Sequence, residues 1–476
     1  MLIYHRKNTK HKNHSYIRNQ KKIISEKIKI EKNQIFLLDH HLCHIYTVLY
    51  GFTRLNKDYL IFSLDGEGDG LCAKICKYEN NKLSELSKTI AGNSLAGFYG
   101  AVTKFLNMKI NEHEYKVMGL AAYQDKSKYN NEIIKKLQNL FTINENLEFI
   151  SKGGLNYFIW YLNKYFRYER FDNISFAAQF VVEELAIEWI KKTIKKFKIK
   201  NICLTGGFFM NIKVNKRINE LNEVNNLVVC PSGGDESVSI GAAYEGYRMS
   251  NLDFANNLKM INSLYLGYEI NIKKELKINN SIIKSKLITH KFNNFKSKNK
   301  KIAFLLNNGE VVARVNGKME FGARALGNRS ILANPKDIGV LHEINKMIKK
   351  RDFWMPFACS ILDTHKNKYF KDYKNCELKY MEISCETTTK GKKNLKAAIH
   401  PFDHTARPQI LYKIDNYEYY DLVEQFKNLS GVGGVLNTSF NIHGEPVVMN
   451  MQDSFHSFLN SGLKFIAIGN FLFEKR

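Results

Sequence analysis

Residues 317–335 read Gly-Lys-Met-Glu-Phe-Gly-Ala-Arg-Ala-Leu-Gly-Asn-Arg-Ser-Ile-Leu-Ala-Asn-Pro, and two of their side chains suit an anion. Arg324 and Arg329 lie five positions apart among glycines and an asparagine, so guanidinium forks stand beside backbone that can approach a ligand closely. At the sheet-to-loop edge of an α/β domain such residues face a phosphate or carboxylate. In a solvated turn the same two arginines would face only water. The apolar runs 302–306 and 311–315 read as strands that would carry the stretch to such an edge.

A second group could bind a metal. Residues 45–50 continue at helical spacing, so His40 and His44, at i and i+4, share one face while His41 points elsewhere. Two imidazoles so placed can hold one metal or simply share a face. Residues 59–64 form an apolar strand running into Asp65-Gly66-Glu67-Gly68-Asp69-Gly70, where Asp65 can reach a metal and where a plain hairpin turn would look the same. Two strand–glycine–helix passages follow. Strand 202–204 leads to Thr205-Gly206-Gly207-Phe208-Phe209-Met210-Asn211, and strand 227–229 leads to Pro231-Ser232-Gly233-Gly234-Asp235. Each aims backbone N–H groups where a nucleotide or phosphoester can lie. Asp235 completes a two-His, two-Asp set with His40, His44 and Asp65, suited to iron, zinc or manganese. Lys116, close to Gly119, is an anion contact or a solvated helix residue on spacing alone.

The elements that must position these groups fill 476 residues of 44% hydrophobic content, enough for two or three domains with substantial cores. Residues 1–32 are polar and basic and read as an arm or poorly packed helix. Residues 126–171 read as a helical, polar connection, 174–197 as a core-facing amphipathic helix, and 251–298, rich in Lys, Asn and Ile, as a domain tail and linker. Eight cysteines without Cys-x-x-Cys spacing argue for reduced thiols in a cytoplasmic protein. No apolar run approaches the ~20 residues of a membrane span. The net charge of +26 would suit nucleic acid, but 13 Arg leave 59 of the 72 basic residues as Lys, spread along the chain. That pattern favours a generally basic surface over a phosphate-reading groove.

With these pieces in order the chain closely resembles the carbamoyltransferases of the nodulation-protein and antibiotic-tailoring family. The resemblance is carried by His40-His41-x-x-His44, Asp65-Gly-x-Gly-Asp69, Tyr115-Lys-Val-Met-Gly-Leu120, Gly206-Gly207-x-x-x-Asn211, Gly234-Asp235, Gly241-Ala-Ala243 and the arginine stretch. Further on it is carried by Lys349-Lys-Arg351-Asp-Phe-Trp-Met-Pro-Phe357, His400, Thr405-Ala-Arg407-Pro-Gln409 and Asn437-Thr-Ser-Phe-Asn441-x-x-Gly-Glu-Pro446. It covers the chain from about residue 35 onward.

The fold this resemblance implies is α/β: an N-terminal actin-like ATPase (ASKHA) domain over 33–270, a linker over 271–298 and a YrdC-like domain over 299–476. The implied reaction is ATP-dependent O-carbamoylation. Carbamoyl phosphate and ATP would give carbamoyl-adenylate in the C-terminal domain, and the N-terminal domain would pass the carbamoyl group to a hydroxyl of a sugar or other small molecule. The cofactors are then ATP, carbamoyl phosphate as donor, a divalent metal (iron or zinc) and magnesium with ATP. Arg324, Arg329, Lys349 and Arg351 would neutralise phosphates. Lys116, Gly206, Gly207, Asn211, Gly234, His400, Arg407, Asn437, Thr438, Ser439 and Asn441 would bind nucleotide or carbamoyl groups. No nucleic acid or membrane partner is expected, and a homodimer is an allowed assembly. Ala122, Ala323 and Cys359 stand where the family more often has proline. One departure is larger: the family's Ser-x-x-His-Asp-x-Ser opening is not found in the 39 residues before His40. The first hairpin of the actin-like domain, with its proton-accepting histidine, is therefore expected to be missing. That leaves a truncated, transfer-deficient nucleotide-binding remnant as one alternative; the other, a tRNA-modifying carbamoylation enzyme, is favoured by the charge and opposed by the continuous match to the C-terminal motifs.

Overall fold

The computed structural model describes residues 2–4, 13–250, 254–371, 373–374 and 376–476. The chain divides into two units, Met1–Asn262 with Lys374–Cys376 and Ser263–Tyr373 with Glu377–Arg476.

The first unit runs β1 (Leu2–Tyr4), α1 (Asn13–Ile28), β2 (Phe36–Leu38), α2 (His40–Phe52), β3 (Tyr59–Gly68), β4 (Leu71–Glu79), β5 (Lys82–Ile90), α3 (Leu95–Phe105), α4 (Glu114–Ala121), α5 (Lys128–Gln138), β6 (Phe141–Ile143), β7 (Phe149–Ser151), α6 (Leu155–Phe166), α7 (Phe171–Phe197), β8 (Asn201–Thr205), α8 (Ile212–Asn219), β9 (Asn226–Val229), α9 (Val238–Ser250) and α10 (Phe254–Asn257). Its main sheet has the order β5-β4-β3-β8-β9. β3, β4 and β5 form antiparallel hairpins, while β8 and β9 add parallel to β3. The unbroken apolar run Leu60-Ile61-Phe62 suits a central strand covered on both faces, and all three are buried. Trp189 of α7 meets Phe62 edge-on at 4.9 Å, and Ile45, Val48 and Leu49 of α2 are also buried. The carboxyl ends of β3, β8 and β9 share one edge, the place where parallel sheets bind ligands. The strand expected over 34–38 is the shorter β2, paired parallel with β1 apart from the main sheet. The connection expected over 126–171 is α5, the β6–β7 hairpin and α6.

The second unit runs α11 (Ile272–Ile278), α12 (Asn280–Lys286), β10 (Leu287–Lys291), α13 (Phe295–Asn307), β11 (Val312–Val315), β12 (Arg329–Ala333), α14 (Gly339–Ile344), β13 (Ala358–Leu362), α15 (Lys366–Tyr369), β14 (Phe370–Lys371), β15 (Cys385–Thr387), α16 (Thr389–Asn394), β16 (Thr405–Ala406), β17 (Pro408–Leu411), α17 (Tyr417–Ser430), β18 (Gly434–Ser439), α18 (Met451–Leu459), β19 (Phe465–Ile468) and β20 (Phe471–Lys475). Its eight-stranded mixed sheet has the order β10-β20-β19-β11-β12-β18-β13-β17. β12 and β13 run antiparallel to β18, and β17 runs parallel to β13. The amino ends of β12, β13 and β17 therefore meet the carboxyl end of β18 at one edge.

Two expectations fail in this unit. Residues 302–306 belong to α13, not to a strand: Asn294 caps the helix by accepting from Ser297 N at 3.0 Å, and Ile302, Ala303, Leu305 and Leu306 bury one helical face against α17. Residues 271–298 are not a linker, because α11 and α12 lead into β10, which pairs along its whole length with β20 at the sheet edge. Among the described residues no helix is long and apolar enough to cross a membrane, and all eight cysteines are free thiols.

Candidate functional site

In the first unit α2 begins beside the main sheet's ligand edge. Asp39 caps it, accepting from Leu42 N at 2.9 Å, and is itself held by Lys74 at 3.2 Å. This cap sets the helix phase so that His40 and His44 face the end of β3. The Asp65 Oδ2 atom lies 3.1 Å from Nε2 of both histidines, and the two Nε2 atoms are 3.1 Å apart. Oδ1 of Asp235, delivered by the turn after β9, lies 3.5 and 3.6 Å from the same nitrogens. All four donor atoms fall within 4.8 Å of one another. A metal about 2.1 Å from each donor would set neighbouring donors about 3.0 Å apart in octahedral and about 3.4 Å apart in tetrahedral geometry. The observed separations fit such an ion, and two imidazoles with two carboxylates suit a divalent one, which would have to displace the proton that His44 otherwise holds.

The surroundings hold the two histidines and Asp65 in place. Burial alone would lower the His44 imidazole, but the Asp235 and Asp65 carboxylates outweigh it and push it up to about 9. Burial would raise Asp65, yet bonds from His40 and His44 hold it well below the usual carboxylate range. The second nitrogen of His44 lies 3.4 Å from Ser237 Oγ, and the backbone N–H of His40 donates to Asp69 Oδ2 at 2.8 Å. A Cβ on Gly68 would stand 2.2 Å from His40 Cδ2, so the ring occupies the space that only glycine leaves. Gly206 has φ +94 and lies against Leu64, where a Cβ would meet the carbonyl oxygen at 2.2 Å. A Cβ on Gly207 would come within 2.9 Å of Asp65 Oδ1. The Gly206-Gly207 turn and the Gly233-Gly234 turn thus converge beside these four side chains, a Cβ on Gly233 standing 2.9 Å from the Gly206 carbonyl oxygen.

Other expected contacts are placed differently. The Asn211 amide accepts from Lys213 N and Val214 N at 3.2 Å each and exchanges bonds with Gln179, so it caps α8 and shapes the turn. Lys116 is half-buried on α4. His41, buried beside His40 and His44, meets Ser63 Oγ at 2.9 Å and is pushed down to about 4, chiefly by burial.

In the second unit the arginine stretch is a loop between β11 and β12. Arg329 does not face an anion. Its buried guanidinium donates to the carbonyl oxygens of Asn316 (2.9 Å), Asn328 (3.0 Å), Tyr268 (3.1 Å), Met449 (3.2 Å) and Gly317 (3.3 Å), which occupies the fork with backbone. Its expected catalytic role is thereby corrected to a structural one. Glu320 completes the clasp: its Oε1 accepts from Leu326 N (2.7 Å), Asn328 N (2.8 Å) and Arg329 N (3.2 Å). Arg314, buried on β11 over the Tyr419 ring, donates to Gly327 O and to Asn328 Oδ1. Sequence reasoning passed over both residues, although Glu320 is the only acid in the stretch.

Arg324 sits on this braced loop, at the edge where β18 ends. There α14 widens into a π-turn over Asn345–Lys349 that delivers Lys349 and Arg351. The buried Lys349 ammonium donates to Asn441 Oδ1 at 2.6 Å and Ser439 Oγ at 3.1 Å, and no carboxylate of the described residues lies within ion-pair distance of it. Arg351 donates to Thr438 Oγ1 at 3.1 Å and lies over the Phe357 ring. Arg407, at the start of β17, has its Nε buried without a hydrogen-bond partner. Burial and neighbouring positive charge depress Lys349, Arg324 and Arg407: Arg351 acts on Lys349 and Arg324, the latter brought down to about 10, and Arg324 with Arg351 acts on Arg407. These four cations gather at one edge of the sheet and repel one another. Asn437 lies beneath, its Nδ2 donating to Ala325 O and Ser360 Oγ at 3.0 Å each, which ties the loop to β13 and β18. His400 Nδ1 accepts from Phe402 N at 3.2 Å and Asp403 N at 3.3 Å and so orders the turn before β16.

Comparison with known proteins places both units. The family described as carbamoyltransferase N-terminus matches residues 6–244 and that described as carbamoyltransferase C-terminus matches residues 303–475. An uncharacterised protein of Methanocaldococcus jannaschii is 32% identical over 460 residues, covering 96% of this chain and 86% of its own length. Nodulation protein NolO of Bradyrhizobium diazoefficiens is 28% identical, covering 92% of this chain and 79% of its own. The 3'-hydroxymethylcephem-O-carbamoyltransferase of Amycolatopsis lactamdurans is 25% identical over 58% of this chain and 49% of its own. Among solved structures, full-length HypF in its phosphate- and nucleotide-bound form aligns at TM-score 0.32 and 14% identity, over 52% of this chain and 39% of that one.

Proposed function

The chain belongs to the carbamoyltransferase family, and from that premise we propose that it is an ATP-dependent O-carbamoyltransferase acting on a hydroxyl of a sugar or other small molecule. The observation that carries this reading is the second unit's cation cluster, above all Lys349, buried with no carboxylate of the described residues in ion-pair reach. Such an ammonium is stabilised when an anion arrives. Carbamoyl phosphate and the triphosphate of ATP are anions of this kind, and Arg324, Arg351 and Arg407 offer planar forks to their oxygens. In this reaction water cleaves carbamoyl phosphate into carbamate and orthophosphate, the carbamate oxygen attacks the α-phosphorus of ATP, and pyrophosphate leaves. Lys349 and the three arginines offset the charge on the transferring oxygens, and Thr438 and Ser439 offer hydroxyl contacts. Unit two is read as YrdC-like.

Unit one is read as an actin-like ATPase fold, a reading supported by three antiparallel strands followed by two parallel ones. Its part is transfer: the acceptor hydroxyl oxygen bonds to the carbamoyl carbon as its proton is released to solvent, the bond to the adenylate oxygen breaks, and AMP leaves. The turns at Gly206-Gly207 and Gly234 approach the nucleotide phosphate through backbone. His40, His44, Asp65 and Asp235 would hold a divalent metal, iron or zinc, which when bound supplies Lewis-acid polarisation of the carbamoyl carbonyl.

The test is pyrophosphate release from ATP by the full chain. Release that requires carbamoyl phosphate, and that falls at least about tenfold in Lys349→Met and Arg407→Ala, is expected. Release that is indifferent to carbamoyl phosphate, or to both substitutions, would overturn the assignment.

A further inference from the structure

The outward face of α6 takes part in neither site. Tyr157, Trp160, Tyr161, Lys164, Tyr165 and, just past the helix, Tyr168 recur along it at i, i+3, i+4, i+7, i+8 and i+11. Phe158, Leu162 and Phe166 fill the core on the opposite side, so the outward residues stand on an anchored helix. Trp160 is 50%, Tyr165 47% and Tyr168 94% exposed. The rings touch one another: Tyr157 lies 5.5 Å from Trp160 and 6.1 Å from Tyr161, and Tyr161 lies 4.6 Å from Tyr165. A contiguous exposed aromatic patch of this kind marks an interaction surface.

We propose that this face docks the chain on an anionic phospholipid surface. Tyrosine and tryptophan, apolar in body and polar at the tip, settle at the level of lipid headgroups. The charge matches as well. Lys164 and Arg167 flank the rings, the nearby Glu169 is bonded to Tyr129, Asp172 is paired with Arg170, and the chain as a whole carries +26. A sugar stacking on the patch would need bare ring faces. Here the Lys164 ammonium lies 4.9 Å from the Trp160 ring centre and 5.2 Å from that of Tyr165. A lipid phosphate draws that ammonium off and leaves the rings to enter the interface. Docking of this sort needs no membrane-spanning segment, and so departs from the expectation of no membrane partner.

The experiment is co-sedimentation of the full chain with vesicles of phosphatidylcholine alone and of equimolar phosphatidylcholine and phosphatidylglycerol. Binding is expected only with phosphatidylglycerol and is expected to weaken as salt rises. The double variant Trp160→Ala/Tyr165→Ala should bind at least about tenfold more weakly and Lys164→Glu several-fold more weakly, each with an unchanged thermal midpoint. A blue shift of tryptophan emission on the vesicles should vanish in Trp160→Phe while binding persists. Four results would each overturn the proposal: no sedimentation with either vesicle, equal binding by the variants, loss in the double variant of binding to a soluble neutral oligosaccharide in place of lipid, or a change of oligomeric state in the variants without lipid.

Discussion

Arg324 and Arg329 are alike in sequence and should behave oppositely when replaced. Among the described residues, Arg329→Ala removes the only bond to the carbonyls of Asn316, Gly317 and Met449, while Tyr268 O and Asn328 O keep the N–H groups of Met319 and Asn316. The three orphaned carbonyls are partly reachable by water, so each is expected to cost about 1 kcal/mol, or about 3 kcal/mol together. In a unit of about 200 residues that lowers the melting midpoint by roughly 6 to 12 °C. Burial and the neighbouring Arg351 charge oppose the charge of Arg324. Arg324→Ala should therefore leave the midpoint within about 2 °C or raise it, while weakening carbamoyl phosphate and ATP use at least about tenfold. Scanning calorimetry and substrate titration on the two variants, side by side, decide the matter. An Arg329→Ala chain that melts like the parent, or an Arg324→Ala chain that melts as early as Arg329→Ala is expected to, would refute the division between clasp and contact.

Three further outcomes are expected. His44→Ala should abolish stoichiometric metal measured by atomic emission while leaving carbamoyl-phosphate-dependent pyrophosphate release in place, because that half-reaction is assigned to the other unit. Gly68→Ala must displace the His40 ring and should weaken metal affinity about 10- to 100-fold by competition with a chelator, with a smaller loss of secondary structure. Asp172, brought down to about 2 chiefly by its bonds from Arg170, contributes stability that is full above its unfolded value near 3.8 and is lost as pH falls toward 2. Acid unfolding of Arg170→Ala should accordingly begin at higher pH than that of the parent, and coincident acid transitions would exclude the pair as a contributor.

The grouping of His40, His44, Asp65 and Asp235 follows from rules that sequence displays openly: an i, i+4 pair, a carboxylate ending an apolar strand, and a glycine turn after a parallel strand. Arg329 was not legible, because a guanidinium fork reads the same whether phosphate or backbone carbonyls await it, and the carbonyls come from Tyr268 and Met449, far along the chain. The run 302–306 was ambiguous for a different reason. Five apolar residues satisfy strand and helix alike, and the deciding signal, the Asn294 cap, lies eight residues earlier. Asn211 was read as a ligand contact when its offset from the double glycine also suits a helix cap. The cation cluster draws on the β11–β12 loop, the π-turn and the start of β17, a convergence that only the strand order creates.

The parallel pairing of β3 with β8 joins Leu60 to Ile202, and the ligand set reaches further still, from His40 to Asp235. Closing such long loops is slow, since their entropy must be lost before the contacts reward it. The cluster of His40, His44, Asp65 and Asp235 is therefore expected to be among the last parts of the first unit to form during refolding. A chelator present from the start should leave early helix formation untouched and change only the slowest phase, which makes metal capture a clock for the completion of that unit.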